Sequence, residues 1–516
     1  MMNLESADDP RQQGLEYART GDYQSAIDAF NQAIQRDPTD ARAYYQRALL
    51  YRRLKDFQCA LSDFDHAASL QPGYTEAYYQ RGITHYVLQK FLPAIQDFSQ
   101  VLSLDPSNVQ ALIGRGISYL EFAEYEQALL NLDRAIACDA AQAGLLGAYG
   151  SRGQANAALK RHAEAISDFE HALTFAPDDV ILLNRLGAAH TDSGHPERAL
   201  ACYDQALRIH QGAAFTYNNR GEAYRLLKRY AEAIVDFNSA LTIDPDLALV
   251  YYNRGLAQSG LGHYQQAIAD YNRALALNGG LALIYRDRAA AFRLLKQYYE
   301  AIADYTQALA SNPDDVEAAF GRGTTYLYLD DPLPAIDDFD HVIELLPEFA
   351  CAYNNRGEAY LRLFDLKQAR ADCGHSWQLD DEHVDHGWMT LWIDMCSNRP
   401  ELAQAESLDR IASVNPGDYA AYLCRAAAAW LRQDLQQALH EVEHAITVDA
   451  EQWGAYFWRG LLYALLQRDR EALDALEYAL ALNLPPVLLC PLKWLQYERS
   501  DFYQKYVLPL LRRTQE

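Results

Sequence analysis

Positive charge is in short supply in this chain: 45 Lys plus Arg stand against 70 Asp plus Glu, a formal net charge of −25. That imbalance works against nucleic-acid phosphates and anionic membrane surfaces as partners, and neither is expected. No apolar stretch approaches the roughly 18 residues that would span a bilayer, so membrane insertion is not expected either. The opening MMNLESADDP has neither the basic region nor the apolar run of a secretory leader. Cys59, Cys138, Cys202, Cys351, Cys373, Cys396, Cys424 and Cys490 are scattered with no CxxC pair, as expected of buried small hydrophobes in a reducing, cytoplasmic setting. A phosphate-cradling loop is missing too. GRGISY at Gly114 and GRGTTY at Gly321 fall inside helical patterns, where backbone N–H groups are already committed. No Ser, His and Asp are arranged around a recognisable elbow. These absences predict no enzymatic activity and no cofactor.

What the chain has in excess is tyrosine. Its 36 Tyr outnumber 17 Phe and 7 Trp together, which asks for many aromatic slots with one edge packed and the other wet. It also repeats itself. AYYQRALLYRRLKDFQCALSDFDHAASLQP, AYYQRGITHYVLQKFLPAIQDFSQVLSLDP and TYNNRGEAYRLLKRYAEAIVDFNSALTIDP share one pattern at a period of about 34 residues. In each unit, residues such as Tyr217, Gly221 and Tyr224 fall on one face of a first helix, and Ala233, Phe237 and Ala240 on one face of a second. Gly or Ala on the first helix (Gly221, Ala48, Ala289) permits close approach, and the aromatic of the second fills the space beside it. Pro72, Pro106, Pro245, Pro313 and Pro347 follow the second helix and stop it.

This pattern resembles the tetratricopeptide repeat family, with Gly221, Tyr224, Ala233, Phe237, Ala240 and Pro245 in its slots, and Gly14, Tyr17, Ala26, Phe30, Ala33 and Pro38 near the start. Units are predicted to begin near residues 7, 41, 75, 109, 146, 180, 214, 248, 282, 316, 350, 385, 419 and 453, about fourteen in all. The resemblance implies an all-α fold, a right-handed superhelical solenoid in which units stack because none can bury both its faces alone. Residues 1–6 are expected to be disordered, 7–486 to form the solenoid, and 487–516 to form capping helices. Irregularities are expected near 143–145, among Gly144, Gly147, Gly150 and Gly153, and over 373–418, where Trp392 takes a small slot. Apolar residues of the last segments, among them Leu492, Phe502, Val507 and Leu510, would cover the open end. A homodimer contact is the alternative there.

An Arg precedes the small slot in unit after unit (Arg47, Arg81, Arg115, Arg152, Arg220, Arg254, Arg288, Arg322, Arg356, Arg425, Arg459), and an Asp precedes the second-helix aromatic (Asp63, Asp97, Asp168, Asp236, Asp270, Asp304, Asp338). Paired inside each unit, the two would fix helix register. One string, DCGHSWQLDDEHVDHGW, has metal-like composition. Cys373 sits in a core slot with His375 pointing away from it, so a metal site at His383 and His386 is only an alternative. Histidines such as His66, His171, His341 and His444 fit an outer surface.

In the resemblance, first-helix residues off the packed face line a concave groove. Early units give Arg42, Tyr45, Leu49 and Arg52, then Glu76, Tyr79, Ile83 and Tyr86, then Gln110, Ile113, Ile117 and Leu120, an apolar and aromatic stretch. Middle units give Ile181 and Asn184, then Phe215, Asn218, Glu222 and Arg225, then Leu249 and Tyr252, then Leu283, Arg286 and Arg293. Asn219, Asn253 and the Asn354–Asn355 pair recur beside them. An amide repeated once per unit can pair with an extended backbone without reading its sequence. Asn219, Asn253 and Asn355 resemble the asparagine ladder in the repeat domain of O-linked N-acetylglucosamine transferases, although no transferase domain accompanies them. The Lys and Asn that clamp chaperone C-termini in other family members are replaced here by Tyr45, Leu49, Tyr79 and Ile83. The expected function is a non-catalytic scaffold binding a protein or peptide in this groove. The alternative is a regulatory or substrate-recruiting subunit of a separately encoded enzyme.

Overall fold

In the computed structural model of the 516-residue chain, the described residues are 9–277, 282–379, 405–414, 416–482 and 495–513, with 393, 484, 492 and 493 besides. Among them every regular element is a helix. The expected N-terminal disorder, Asp380 to His386 and Trp392 lie outside the described residues. The chain forms two compact units, Met1–Gly260 and Leu261–Glu516.

Within each unit, helices pack in chain order. Ala41–Arg53 lies on Phe57–Leu70, which lies on Thr75–Val87, and the first helices Thr75–Val87 and Val109–Glu121 also touch. The second unit repeats the scheme with Ala282–Leu294, Tyr298–Ser311 and Val316–Tyr328. The slots explain the packing. Phe30, Phe64, Phe98, Phe169, Phe237 and Phe339 are fully buried between helices, with Tyr203, Tyr271 and Tyr305 in the same role. A Cβ on Gly221 would lie 2.7 Å from the Phe237 ring, closer than carbon atoms pack, so the small slot exists to seat that ring.

The turn between paired helices uses a device that the residue types do not announce. Lys55, Gln89, Ala123, Lys160 and Lys228 all take positive φ, at the position held by Gly21 and Gly194 in sister repeats. This left-handed step closes the first helix: the Arg229 N–H donates to the Tyr224 carbonyl at 2.8 Å and the Lys228 N–H to the Arg225 carbonyl at 2.9 Å.

The arginines do pair with the second helix of their own repeat, and they do more. Arg220 Nε donates to Asp236 Oδ2 at 2.7 Å, while its other side reaches Asp204 Oδ1 of the preceding repeat at 2.6 Å. Arg47 bridges Asp63 and Asn31, Arg81 bridges Asp97 and Asp65, and Arg356 bridges Asp372 and Asp340 in the same way. Each guanidinium therefore clamps two repeats. Tyrosine three residues earlier lies against it, Tyr44 for Arg47, Tyr78 for Arg81, Tyr217 for Arg220 and Tyr285 for Arg288, at 5.2 to 5.7 Å from ring centroid to guanidinium carbon. This accounts for much of the tyrosine excess. Burial pushes the carboxyls of Asp97 and Asp338 above the usual range, even against hydrogen bonds from Arg81 and Arg322. Desolvation thus takes back much of what pairing gives. Arg115, whose partners Asn131 and Ser99 are neutral, has its guanidinium pushed down by burial instead.

The repeat at Val180–Ile209 omits the clamp on both sides at once. Leu186 stands where the arginine would be and Cys202, sixteen residues on, where the aspartate would be; both pack beside Phe169 and Ala189. Burial pushes the Cys202 thiol up to about 11.

At the glycine-rich junction, a short helix Ala140–Leu145 ends and Gly147, at φ +80°, opens the helix Ala148–Ala158. The Phe175, Leu182 and Phe169 side chains occupy the space above Gly144, Gly150 and Gly153. Arg152 still reaches back to the preceding repeat, now across 19 residues to Asp133 rather than 16. Gly147→Ala forces a side chain into the left-handed region and is expected to lower the stability of Ala148–Ala158 by about 1 kcal/mol. Amide exchange of that helix checks this.

At the C-terminus, Leu495, Phe502, Val507 and Leu510 enter the same core as Phe457, Leu461 and Leu476, so these side chains are spent within the chain. No helix among the described residues is long and apolar enough to cross a membrane.

Candidate functional site

The first helices Thr75–Val87 and Val109–Glu121 leave a cavity of about 190 Å³ between them. Its walls are Tyr79, Ile83 and Tyr86 from one helix and Gln110, Ile113, Gly114 and Ile117 from the next, with Phe98 and Leu146 completing it. Helical spacing places Tyr79, Ile83 and Tyr86 on one face, three and four residues apart. Phe98 lies directly under Gly114, where an added Cβ would stand 2.7 Å from the ring, so glycine lets the ring seat against this helix at the cavity wall. Tyr79 is braced by Phe98 at 5.8 Å and Tyr86 by Phe91 at 5.9 Å. Burial raises the pKa of both hydroxyls, opposed by Arg52 at Tyr79 and reinforced by Glu121 at Tyr86. The phenols therefore stay protonated as neutral donors and acceptors.

The structure brings together the early groove residues Tyr79 and Tyr86 with Ile83, Gln110, Ile113 and Ile117. Tyr45 is not among the lining residues; its ring packs on Tyr74 at 5.0 Å and Phe64 at 6.0 Å. Phe98, Gly114 and Leu146 were missed by sequence reasoning. The first two occupy ordinary repeat slots and the third belongs to the junction, so only the close approach of neighbouring helices reveals them.

Further along the first unit the amides bond largely to one another. Asn253 Nδ2 donates to Asn218 Oδ1 at 3.0 Å, and Asn218 Nδ2 reaches Asn219 Oδ1 at 3.4 Å. Asn184 is buried, donating to Thr216 Oγ1 at 2.9 Å and to the Val180 carbonyl at 2.8 Å. Its Oδ1 has no hydrogen-bond partner among the described residues. Arg225 is held by Glu222 through two hydrogen bonds of 2.6 and 2.7 Å. Tyr252 is half-buried beside Arg225. Ile181, Phe215 and Leu249, one per repeat, remain 57, 48 and 56 % exposed, a row of large apolar side chains facing water.

In the second unit, Arg286 is taken up by Asp287 at 3.1 Å and Glu317 at 2.7 Å, and Arg293 contacts the Tyr305 hydroxyl. Asn354 is buried, while Asn355 Nδ2 donates to Thr324 Oγ1 at 3.4 Å. A larger cavity of about 1060 Å³ is lined by Lys296, Tyr298, Asp330, Glu358, Arg362, Tyr419 and Trp453 among others, but its charges are engaged with each other, Arg362 with Glu358 and Asp330, and Lys296 with Glu451. Cys373 is buried in the aromatic slot beside Gly357, its thiol pushed up to about 12, and His375 meets the Tyr353 ring at 4.4 Å and a tilt of 56°. Cys424 is buried as expected, but Cys59 and Cys138 are exposed, because they fall on the outer face of their helices.

Family models for the tetratricopeptide repeat match residues 14–55, 41–74, 79–143, 146–179, 221–262, 248–280 and 295–332, together half of the chain. The chain is a tetratricopeptide-repeat protein. Among curated proteins no relative matches. Solved structures with similar helix pairs include YrrB, a TPR protein with an unusual peptide-binding site (24% identity, 36% of this chain and 95% of that one, TM-score 0.32). A tetratricopeptide repeat protein from Parabacteroides merdae is 19% identical over 49% of this chain and 99% of that one, with a TM-score of 0.39. The Cut9-Hcn1 hetero-tetramer of APC/C is 14% identical over 91% of this chain and 96% of that one, also at 0.39. Repeats of the tetratricopeptide family serve as protein-interaction modules, and this tetratricopeptide-repeat protein is an interaction scaffold.

Proposed function

We propose that this scaffold binds an extended peptide or partner helix along the face formed by its first helices, without catalysing a reaction on it. The cavity between Tyr79, Ile83, Tyr86, Ile113 and Ile117 carries the reading. A dry apolar cavity of roughly 150 Å³ accepts a benzene ring, so this one has room for one aromatic or branched aliphatic side chain of a partner. Arg52, which acts on Tyr79, and Glu121, which acts on Tyr86, favour an acidic residue near the first ring and a basic residue near the second. Ile181, Phe215 and Leu249 supply further apolar contact.

Panning a displayed library of random peptides of about twelve residues against the full chain tests this. The expected winners share one large apolar residue flanked by opposite charges and cross-link to the Tyr79–Ile117 region. Winners with no apolar anchor, or cross-links confined to the outer helices, would overturn the assignment.

A further inference from the structure

His440 and His444 stand one turn apart on the exposed face of the helix Leu435–Val448. Their Nε2 atoms share a hydrogen bond of 3.2 Å, whose proton a bound cation would displace, with the rings nearly perpendicular at 85°. Two imidazole nitrogens bound to one tetrahedral zinc, at about 2.0–2.1 Å each, are separated by about 3.3 Å. The two histidines therefore already present the donor spacing of adjacent ligands on a single ion. The arrangement is braced from below: His444 stacks on Tyr422 at 5.5 Å and 19°, and Tyr422 in turn carries the Arg425 guanidinium 4.4 Å from its centroid. A rigid helix and a stacked ring hold ligands in place better than a loop would.

The string HEVEH, residues 440–444, is also the helical His-Glu-x-x-His pattern in which two histidines bind zinc and the glutamate acts as base. Here the glutamate is otherwise engaged. Glu441 Oε2 accepts from Arg425 Nε at 2.9 Å and Oε1 from Gln437 Nε2 at 2.6 Å, filling the place that Asp236 takes opposite Arg220. Glu443 lies 3.7 Å from Arg459. Among the described residues no group of three or more His, Cys, Asp or Glu converges on one point. The pair would leave the ion's other positions to water or to groups of another molecule.

We propose that His440 and His444 form a bidentate surface site for a late first-row divalent cation of the zinc, copper and nickel class. The test titrates the full chain with Cu²⁺ and with Zn²⁺ by calorimetry and reads the copper-loaded chain by electron paramagnetic resonance. One tightest equivalent per chain with two nitrogen donors is expected. His440→Gln and His444→Gln each weaken it at least tenfold and leave one nitrogen donor. His171→Gln, which lacks a histidine one turn away, leaves it unchanged. Both variants are surface substitutions, and equal helicity confirms that each is folded. Retention of the tightest equivalent in both variants overturns the site, and so does its loss in a His383→Gln, His386→Gln variant with His440 and His444 intact.

Discussion

Replacing Arg220 by leucine is expected to lower the stability of the helix pair Ala214–Leu226 and Tyr230–Ile243 by about 3 kcal/mol. The cost comes from what is left behind. Asp236 is only 4 % exposed on its side chain, so without Arg220 a carboxylate remains in the packed interior with nothing to offset its lost hydration. Asp204, 42 % exposed, can turn to water and contributes little. The companion variant, Arg220→Leu with Asp236→Cys, copies the Leu186 and Cys202 pair of the neighbouring repeat and is expected to cost no more than about 1 kcal/mol, because both charges leave together. Repeat arrays open locally, so the comparison is made by amide exchange in these two helices rather than by a single global melt. Equal losses in the single and double variants would refute the account.

Ile117→Asp is expected to weaken the tightest peptide from the library selection about 100-fold, equivalent to about 2.7 kcal/mol. Ile117 lines the cavity opposite Tyr79 and Ile83, and a partner side chain seated there would have to strip water from the new carboxylate against apolar walls. Asn219→Ala is expected to weaken the same peptide less than tenfold, since Asn219 is half-buried and its Oδ1 already accepts from Asn218. Fluorescence anisotropy with the labelled peptide measures both. An unchanged affinity for Ile117→Asp would remove the cavity from the binding surface.

The repeat and its packing were legible because they are periodic: Gly221 and Phe237 keep fixed places, and Arg220 with Asp236 recurs sixteen residues apart. The second half of the clamp was not legible. The backward partner stands sixteen residues before the arginine each time, but as Asn31, Asp65, Ser99, Asp204 or Thr306 its residue type changes from repeat to repeat, so no recurring charge marks it. The left-handed turn was hidden for a similar reason, because Lys, Gln, Ala, Asp and Phe occupy it and none signals positive φ. For the site, helical spacing found Tyr79, Tyr86, Ile113 and Ile117. It also put Asn184, Asn253 and Asn354 beside the groove although they are buried, since periodicity gives a helix face and leaves open how closely the next helix covers it.

The arginine clamp bears on how the array comes apart under load. Each guanidinium that grips backward as well as inward adds directional bonds to the boundary between two repeats, so tension applied along the chain is shared across neighbours. Leu186 and Cys202 interrupt that series with an apolar contact in place of the guanidinium's bonds, leaving Gln205 Nε2 to reach back to the Pro177 carbonyl at 3.4 Å. Unravelling of the Met1–Gly260 unit is therefore expected to pause or begin where Val180–Asp192 meets the preceding repeat, since on its other side Arg220 still holds Asp204.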